Sequence, residues 1–499
     1  MAPHAQSTVP QSASAPEITA DVVVIGGGPV GENVAQYAIE GTDQTAVLIE
    51  GELLGGECSY YACMPSKALL RPLAVADAAA HLDGVSTPEV DTASLLARRD
   101  TWVSQYDDTG QVEWAEGAGM RVVRGHGRIV GEREVRVEDP DGGPPTLAHA
   151  TRAVVIATGS QAVVPDALQP LSPWTSRDAT GVQEIPGELL IVGGGVVAVE
   201  AATWMAALGS HITLLVRGDA LLRGMEPFAG EHVLGALTAL GVTVQLGTSA
   251  VSAERADARD SGLGRIHGGR VTLQVEDAQG RREVTGDEIL VATGRTPRLA
   301  DVGLETIGLS PEDITGAQAP TSDDATGAPL PSWLHAVGDA SGEAPLTHWG
   351  KYRARVIGQA IRAGVTGEAL EPVPETVPVP QVVFTDPQVT SVGLTAEQAR
   401  EAGHDVVTSQ VPFGGAAGSA LLRDDVSGTA QLVVDRGTAT LIGATFVGPE
   451  ASELIHAATI AIVGQVPVHV LRHAVPSYPT SSELWLRLLE ELPTELRTT

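Results

Sequence analysis

The chemistry of this chain begins with two cysteines, Cys58 and Cys63, which lie five positions apart in the run ECSYYACMPSK. They are the only 2 cysteines in 499 residues, which is too few for a disulfide scaffold, so the pair indicates redox chemistry in a reducing compartment. A populated thiolate needs a positive neighbour or a helix N-terminus. Because Pro65 suits the first turn of a helix, we predict a helix that begins near Cys63 and carries Lys67.

A glycine-rich turn precedes the cysteine pair. The run DVVVI predicts a buried parallel strand, and the turn GGGPVG and a helical stretch follow it directly. In such a turn Gly26 permits the tight bend, Gly28 lets the backbone approach a pyrophosphate, and Gly31 allows the helix to pack closely on the strand. A second strand, AVLI, ends in Glu50, whose carboxylate can accept the ribose hydroxyls of an unphosphorylated adenosine. The segment therefore predicts an FAD site.

The same pattern recurs near the middle of the chain. The strand LLIV is followed by GGGVVAV, which puts Gly193, Gly195 and Ala198 at the matching positions. After the next strand, Arg217 stands where the first pattern has an acid, and Arg223 follows six residues later. A guanidinium would pair with a 2′-phosphate, and the missing carboxylate removes the acceptor that favours NAD. We expect NADPH at this second site; the alternative is that both arginines are solvated surface residues.

Composition limits the partners. The 62 Asp and Glu residues against 31 Lys and Arg give a formal charge of −31, which repels phosphate backbones and anionic bilayers. No apolar run is long enough to span a bilayer, and residues 1–19 carry neither the basic nor the apolar segment of a secretion signal. We expect a cytoplasmic protein that binds neither nucleic acid nor membranes and holds no metal.

Further motifs accompany the two turns and the cysteine pair. They are ATG at 157–159, ATGR at 292–295, AVGD at 336–339 and LTH at 346–348. Through these motifs together, the chain resembles the FAD-dependent pyridine nucleotide-disulfide oxidoreductases, which include glutathione reductase, dihydrolipoamide dehydrogenase and mercuric reductase. The likeness runs from about residue 20 to 490, and its last part is similar to the interface domain through which relatives form head-to-tail homodimers.

The resemblance implies an α/β fold with two Rossmann-like dinucleotide-binding domains, for FAD and NADPH, and an α+β dimerisation domain. The boundaries that we expect are a disordered tail at 1–19, the first part of the FAD domain with the redox cysteines at 20–160, the NADPH domain at 161–290, the second part of the FAD domain at 291–372, and the interface domain at 373–499.

The resemblance also implies roles for individual residues. Cys63 would stack against the flavin and Cys58 would exchange with the substrate, while Lys67 would pair with Glu200 beside the flavin and the nicotinamide. Asp339 would accept a hydrogen bond from the ribityl chain of FAD. The other cofactor contacts that it implies are Gly56, Gly127, Thr158, Gly159, Gly294, Leu346 and Thr347.

One departure from the family pattern concerns proton transfer. Thiol-reducing relatives end in a His-Pro-Thr-x-x-Glu stretch, contributed across the dimer, in which the glutamate orients an acid-base histidine. The matching run here is Tyr-Pro-Thr-Ser-Ser-Glu, so Tyr478 replaces the histidine and Glu483 keeps the place of the glutamate. An unperturbed phenol, with a pKa of about 10, is protonated at pH 7, whereas an imidazole exchanges protons there. His473 could substitute, although a loop histidine without a role is the simpler interpretation.

These observations predict a flavoenzyme that passes electrons from NADPH through FAD to the Cys58–Cys63 disulfide and on to a small-molecule acceptor of disulfide type. A quinone or dye reductase, or a transhydrogenase, is the alternative, because electrons that leave from the flavin need no acid-base histidine. Mercuric reductase is less favoured, since the C-terminal PTELRTT contains none of the extra thiols that soft Hg(II) prefers. A redox-sensing flavoprotein with little turnover is the remaining hypothesis.

Overall fold

The computed structural model describes residues 16–316, 330–374 and 377–498. Among the helices of these stretches, none combines the length and the apolar character that a bilayer crossing needs. The chain divides into two compact units, each assembled from three segments. The first unit is drawn from Met1–Gly56, Asp108–Ser160 and Pro297–Glu371, and the second from Glu57–Asp107, Gln161–Thr296 and Pro372–Thr499.

The strands follow the β-branched and alternating runs of the sequence. They are β1 (Glu17–Ile25), β2 (Ala46–Glu50), β3 (Met120–Arg124), β4 (His126–Gly131), β5 (Glu134–Glu138), β6 (Thr146–Ile156), β7 (Ser160–Ala162), β8 (Glu188–Val192), β9 (His211–Leu215), β10 (Thr243–Gln245), β11 (Ser249–Arg255), β12 (Val271–Asp277), β13 (Gly280–Gly286), β14 (Glu288–Val291), β15 (Arg295–Pro297), β16 (Leu334–Ala336), β17 (Gln381–Val383), β18 (Gln388–Gly393), β19 (Val406–Pro412), β20 (Thr429–Asp435) and β21 (Thr440–Gly448).

The helices connect these strands or cover the sheets. They are α1 (Pro29–Ile39), α2 (Gly56–Tyr60), α3 (Cys63–Ala80), α4 (Thr92–Trp102), α5 (Thr109–Gly117), α6 (Ser176–Thr180), α7 (Val196–Ala207), α8 (Pro227–Ala239), α9 (Pro311–Gly316), α10 (Thr347–Thr366), α11 (Ala396–Glu401), α12 (Ala417–Ala420), α13 (Ile455–Val463), α14 (Val468–Leu471), α15 (Glu483–Glu491) and α16 (Thr494–Thr498).

The first unit is built on a parallel sheet in the order β3–β2–β1–β6, with β16 beside β6 and the antiparallel strands β5 and β4 continuing it. Residues 22–25 of the central strand are at most 3% exposed, because a parallel sheet is covered on both faces. β1, β2 and β6 run parallel, so their carboxyl ends lie at one edge of the sheet. The first glycine turn, Glu50 and the residues after β6 therefore come together at that edge.

The first strand begins earlier than the sequence predicted. Glu17 pairs with Leu147 and Ile18 with Ala148, so residues 17–19 belong to the sheet and not to the predicted disordered tail of 1–19. Pairing with the long strand β6 supplies backbone hydrogen bonds that the sequence pattern alone does not reveal. Residues 1–15 of that predicted tail lie outside the described residues.

Among the described residues, the second unit contains three sheets of three or more strands, and the short strands β7 and β15 form a separate pair. A parallel sheet has the order β10–β9–β8–β14, a small antiparallel sheet the order β11–β12–β13, and a larger antiparallel sheet the order β17–β18–β21–β20–β19. Helix α15 places its leucines against the larger sheet because Leu484, Leu488 and Leu489 recur at helical spacing and are all buried. This mixed α/β architecture, with Rossmann-like parallel sheets and a separate antiparallel domain, confirms the predicted fold class.

Candidate redox and dinucleotide sites

The first glycine turn requires glycine for steric reasons. Gly26 has φ +107°, and a Cβ atom on it would lie 2.3 Å from the carbonyl oxygen of Ala157. A Cβ atom on Gly31 would lie 1.9 Å from the carbonyl oxygen of Gly26, and one on Gly56 would lie 2.8 Å from Cα of Gly28. The turn, the start of α1 and the first residue of α2 therefore approach each other as closely as their backbones allow.

The carboxylate of Glu50 is fixed beside this turn. Its Oε2 atom accepts a hydrogen bond from the backbone N–H of Gly27 at 2.8 Å, and its Oε1 atom accepts one from that of Glu52 at 2.7 Å. Burial raises the pKa of Glu50. Each carboxylate oxygen can accept more than one hydrogen bond, so Glu50 keeps the capacity for the ribose hydroxyls that the sequence predicted.

The loop after β6 lies next to the AVGD segment in the same unit. Ser160 donates to Oδ2 of Asp339 at 2.5 Å, and the hydroxyl of Thr158 donates to the carbonyl of Arg298 at 2.7 Å. Gly159 has φ +71°, and its carbonyl accepts from the N–H of Arg298 at 2.9 Å. These contacts hold together three of the residues that the resemblance assigns to FAD: Thr158, Gly159 and Asp339.

The remaining FAD candidates of the first unit sit close to the turn. Leu346 is the N-cap of α10, whose first residue is Thr347. A Cβ atom on Gly350 of this helix would lie 2.5 Å from Cγ2 of Val30, so α10 starts close to the turn. Gly127 lies in β4, where a Cβ atom would lie 3.0 Å from Cγ2 of Ile49.

These residues fit an FAD. The N-terminus of α1 receives no side-chain cap from Gly28, so its first N–H groups can bind a pyrophosphate. The absence of Cβ atoms at Gly28 and Gly56 leaves a cradle of bare backbone beside that helix end. Glu50 at the end of β2 then stands where the adenosine ribose would lie.

The second glycine turn has the same backbone design in the second unit. Gly193 has φ +135°, and a Cβ atom on it would lie 2.2 Å from the carbonyl oxygen of Ala292. Gly195 is the N-cap of α7 and supplies no side-chain cap, while Ala198 is fully buried. Gly294, with φ +143°, accepts a hydrogen bond from the N–H of Val163 at 3.0 Å. A second dinucleotide-binding helix end is therefore present.

Two exposed arginines follow the second strand of this turn. Arg217 is exposed just after β9, and Arg223 packs over Gly218, where a Cβ atom would lie 2.9 Å from its Cδ atom. Nε of Arg223 is 3.6 Å from a carboxylate oxygen of Asp219, and both side chains are mostly exposed. Such an exposed ion pair is weak, so the guanidinium of Arg223 is available to another anion.

The cysteine segment leads into helix α3 as predicted. This helix begins at Cys63, its N-cap residue Ala62 supplies no side-chain cap, and Cys58 and Cys63 are both half-buried. The positive end of the helix dipole favours negative charge on the first residues of α3. The helix also carries Lys67 one turn further along.

Lys67 joins a three-residue cluster within the second unit. Its Nζ atom is 2.7 Å from Oε2 of Glu200, a residue of α7 with a buried carboxylate. The other carboxylate oxygen, Oε1, accepts from the backbone N–H of Phe384 at 2.9 Å. The ring of Phe384 lies 4.5 Å from Nζ of Lys67. The structure thus brings together the predicted Lys67–Glu200 pair and adds Phe384, for which the sequence analysis assigned no role.

A cavity of about 550 Å³ adjoins this cluster. Its walls come from α3, from the segment after β17 and from loops of the dimerisation domain, all within the second unit. The apolar part of the lining is Leu70, Ala74, Val75, Ala78, Phe384, Leu422 and Pro449, and charged groups come from Arg71, Asp386, Arg423 and Glu450. Lys67 also lines it. A small molecule with both apolar and polar groups therefore has a place to bind beside the Lys67–Glu200 pair.

The C-terminal candidates are not assembled into an acid-base pair in the described residues. The side chain of Tyr478 is 78% exposed, and His473 is exposed as well. Oε2 of Glu483 accepts from the backbone N–H of Gly418 at 3.4 Å. Within this chain, the glutamate that would orient the residue at position 478 is therefore held by the backbone at the start of α12.

Comparisons with known proteins identify the family. Residues 20–329 match the pyridine nucleotide-disulphide oxidoreductase domain, and residues 379–488 match the dimerisation domain of the same family. Dihydrolipoyl dehydrogenase of Haloferax volcanii is 31% identical over 480 residues, covering 94% of this chain and 95% of the relative. The enzyme of that name from Bacillus subtilis is 29% identical over 477 residues, covering 95% of this chain and 96% of the relative.

Solved structures share the fold. The HOCl-induced flavoprotein disulfide reductase RclA of Escherichia coli and LpdA of Mycobacterium tuberculosis each give a TM-score of 0.76 at 23% identity, covering 95% of this chain and 100% of theirs. Together with the glycine turns and the cysteine helix, these matches confirm the predicted resemblance. The chain belongs to the pyridine nucleotide-disulphide oxidoreductase family and is an FAD-dependent oxidoreductase with a dimerisation domain.

Proposed function

We propose that this protein is an NADPH-dependent flavoenzyme that delivers electrons to the Cys58–Cys63 disulfide and from there to an acceptor of disulfide type. The observation that carries the proposal is the Lys67–Glu200 pair, in which the two side chains are 2.7 Å apart and Lys67 lies on the helix that begins at Cys63. Bound FAD supplies two-electron transfer between the nicotinamide and the disulfide. A buried, hydrogen-bonded carboxylate paired with a lysine keeps a fixed charge arrangement beside that transfer.

The preference for NADPH rests on Arg217 and Arg223. They flank Gly218 at the end of β9, the position at which an acid would bind the ribose hydroxyls of NADH. Both side chains are exposed, so a 2′-phosphate could pair with them without breaking a buried contact. A guanidinium binds phosphate oxygens by two parallel hydrogen bonds.

The thiol step balances in electrons and protons. Two electrons and two protons convert the Cys58–Cys63 disulfide into two thiols. The Cys58 thiolate then attacks the disulfide of the acceptor, a mixed disulfide forms, and one acceptor thiol leaves. Attack by Cys63 on Cys58 releases the second acceptor thiol and restores the enzyme disulfide. This assignment of the outer and inner thiols follows the family resemblance.

We propose that the active form is a cytoplasmic homodimer. The match of residues 379–488 to the dimerisation domain supports the homodimer. In relatives the segment that contains Tyr478 acts across the dimer, and in the single chain this side chain is exposed on the surface of that domain. A chain with only 2 cysteines in 499 residues, too few for a disulfide scaffold, suits a reducing compartment.

The Cys58→Ser variant tests the proposed route. Under anaerobic conditions NADPH should still reduce the flavin of this variant, while its reduction of a panel of low-molecular-weight disulfides falls to background. Ser59→Ala is the control, because it changes the neighbouring residue and leaves both thiols in place. Disulfide reduction at the wild-type rate in Cys58→Ser would reject thiol exchange.

Reduction of a quinone or dye is a second candidate, and the cavity beside Lys67 and Phe384 favours it. The apolar residues of its walls suit a ring system, and its charged residues suit polar substituents on that ring. The Ala74→Trp variant should fill part of the cavity and slow quinone reduction without slowing disulfide reduction. Ala80→Trp, at the exposed end of α3, is the control. Equal quinone rates in both variants would exclude this cavity as the site.

A further inference from the structure

The segment between the two cysteines carries two aromatic residues, Tyr60 and Tyr61. We propose that Arg177 of α6 and Tyr61 form a clamp that positions this segment and holds the two thiols within reach of each other. The inference rests on the proposed function, because it concerns the Cys58–Cys63 disulfide. It assigns Arg177 and Tyr61 as positioning residues, which act through the cysteines.

The first part of the clamp holds the residue immediately before Cys58. Oε2 of Glu57 accepts from Nε of Arg177 at 2.9 Å and from its Nη2 at 2.7 Å. Nη2 of Arg295 lies 3.3 Å from Oε1 of the same carboxylate. All three side chains are about three-quarters buried, so the ion pairs are only partly screened by solvent. Glu57 is thus fixed by guanidinium groups on both of its oxygens.

The second part holds the residue two positions before Cys63. The guanidinium carbon of Arg177 lies 4.3 Å from the centroid of the Tyr61 ring. The ring of Tyr106 stacks on Tyr61 with centroids 5.6 Å apart and planes inclined by 28°. The carbonyl of Tyr61 also accepts a hydrogen bond from Thr180 at 2.7 Å. One arginine therefore contacts the cysteine segment at both ends.

Helix α6, which carries Arg177 and Thr180, is held firmly in place. Thr175 and Asp178 form a capping box at the start of α6. Arg99, which is almost fully buried, donates to the carbonyls of Thr180 and Val182, and the indole N–H of Trp204 donates to the carbonyl of Ala179 at 3.1 Å. The contacts of Arg177 and Thr180 with the cysteine segment therefore start from a well-fixed backbone.

Fixing both ends of the segment favours the disulfide. Two thiols that are held close together have a high effective concentration, which makes ring closure to the disulfide more favourable. Loss of Arg177 would release Glu57 and one face of Tyr61 at once and let the thiols separate. We expect the equilibrium constant for disulfide formation to fall about tenfold, which for a two-electron couple corresponds to ~30 mV.

The experiment measures the thiol–disulfide equilibrium of the holoenzyme in dithiothreitol redox buffers, with thiols counted after acid quenching. Arg177→Met should shift the equilibrium about tenfold toward the thiols, whereas Arg177→Lys, which keeps a cation over Tyr61 but loses the paired hydrogen bonds, should shift it about threefold. Arg281→Met is the control, because the side chain of Arg281 forms an exposed ion pair with Glu276. Thr180→Val removes the bond to the Tyr61 carbonyl without a charge change and should shift the equilibrium in the same direction.

The outcomes separate this inference from the proposed function. If wild-type protein gains two thiols on reduction with NADPH but Arg177→Met and Thr180→Val give the wild-type equilibrium, the clamp is rejected and the proposed function stands. If wild-type protein gains no thiols, the proposed function fails and the clamp fails with it. An equal shift in Arg281→Met would show that any lost ion pair has this effect and would also reject the clamp.

Discussion

The two glycine turns of this protein share a backbone and differ in their side chains. Gly26 and Gly193 both have positive φ, and in each turn a Cβ atom would lie within 2.3 Å of a carbonyl oxygen that follows the neighbouring strand. Each turn is followed by a helix whose N-cap is a glycine, Gly28 or Gly195, without a side-chain cap. The shared part is therefore a phosphate-binding helix end.

The side chains differ at matching positions of the two turns, which are 167 residues apart in the chain. A Cβ atom on Gly31 would clash with the backbone, whereas Ala198 at the matching place carries one and is fully buried. Glu32 is a buried carboxyl group where the second helix has Val199. Glu50 ends the second strand of the first turn, and Arg217 follows that of the second. We therefore propose that the shared backbone binds a pyrophosphate at both turns, while the side chain after the next strand selects the adenosine ribose.

The largest effect is expected when the backbone of the second glycine turn is distorted and that of the first turn is left intact. In Gly193→Ala the new Cβ atom would lie 2.2 Å from the carbonyl oxygen of Ala292, at φ +135°, so the turn must distort. Flavin reduction by NADPH, followed by stopped-flow absorbance, should slow by more than about 100-fold, while FAD stays bound. Gly235→Ala in α8, whose Cβ atom meets nothing within 4 Å, is the control. Loss of FAD from Gly193→Ala would contradict two independent sites.

The difference between Glu32 and Val199 should appear in the pH dependence of stability. Burial raises the pKa of Glu32 from 4.5 to about 7, so between these pH values the folded state keeps a proton that the unfolded state has released. The free energy of unfolding therefore falls as pH rises through this range, by at most about 3 kcal/mol. Glu32→Gln keeps an acceptor for the side-chain amide of Gln111 and should remove this slope.

Urea unfolding of both proteins from pH 5 to pH 8 measures this effect. The stability of Glu32→Gln relative to the wild type should increase steadily up to about pH 7 and then stay constant. Glu113→Gln, at an exposed position of α5, is the matched control and should follow the wild type. A pH-independent difference between Glu32→Gln and the wild type would show that Glu32 does not titrate in this range.

The two arginines at the second turn predict a preference for NADPH over NADH. In the double variant Arg217→Ala, Arg223→Ala the KM for NADPH should rise about 10- to 100-fold, because two guanidinium contacts to the 2′-phosphate are lost. The KM for NADH should change less than about twofold. Steady-state kinetics with both nucleotides gives the answer, and Arg281→Ala serves as control. An equal rise for both nucleotides would contradict the assignment of the arginines.

The smallest effect is expected at the first site. Glu50→Gln removes the charge and keeps one oxygen acceptor, so FAD should bind about tenfold more weakly through the loss of charge-assisted hydrogen bonds. Equilibrium dialysis of the FAD-stripped protein against FAD measures the Kd. Glu40→Gln, exposed at the end of α1, provides the comparison. Unchanged FAD affinity in Glu50→Gln would show that the carboxylate is not used.

Much of the first site could be predicted from the sequence because its requirements are local. A positive φ at Gly26, an uncapped helix start and a carboxylate at the end of the next strand all follow from short runs of residues. The start of α3 at Cys63 was predicted for the same reason. The beginning of β1 at Glu17 was missed, because it depends on pairing with β6 more than 120 residues away.

Several contacts in the second unit could not be inferred from short sequence motifs. The Lys67–Glu200 pair was expected only through the family resemblance, and its third member, Phe384, lies 184 residues from Glu200. The contacts of Glu57 and Tyr61 with Arg177 could not be inferred either, since nothing in the run SRDAT marks it as a neighbour of the cysteines. The hydrogen bond that Glu483 accepts from the backbone N–H of Gly418 could not be inferred from the sequence either.

The sequence by itself determined the two strand–turn–helix units, the cysteine pair at a helix start and the opposite charges that follow the two second strands, because backbone sterics and local charge act over a few residues. Tertiary structure decided which distant groups fix the redox segment and the Lys67–Glu200 pair. Those contacts depend on how α3, α6, α7 and the strand before Phe384 pack, and packing energies are shared among many residues that no short pattern records.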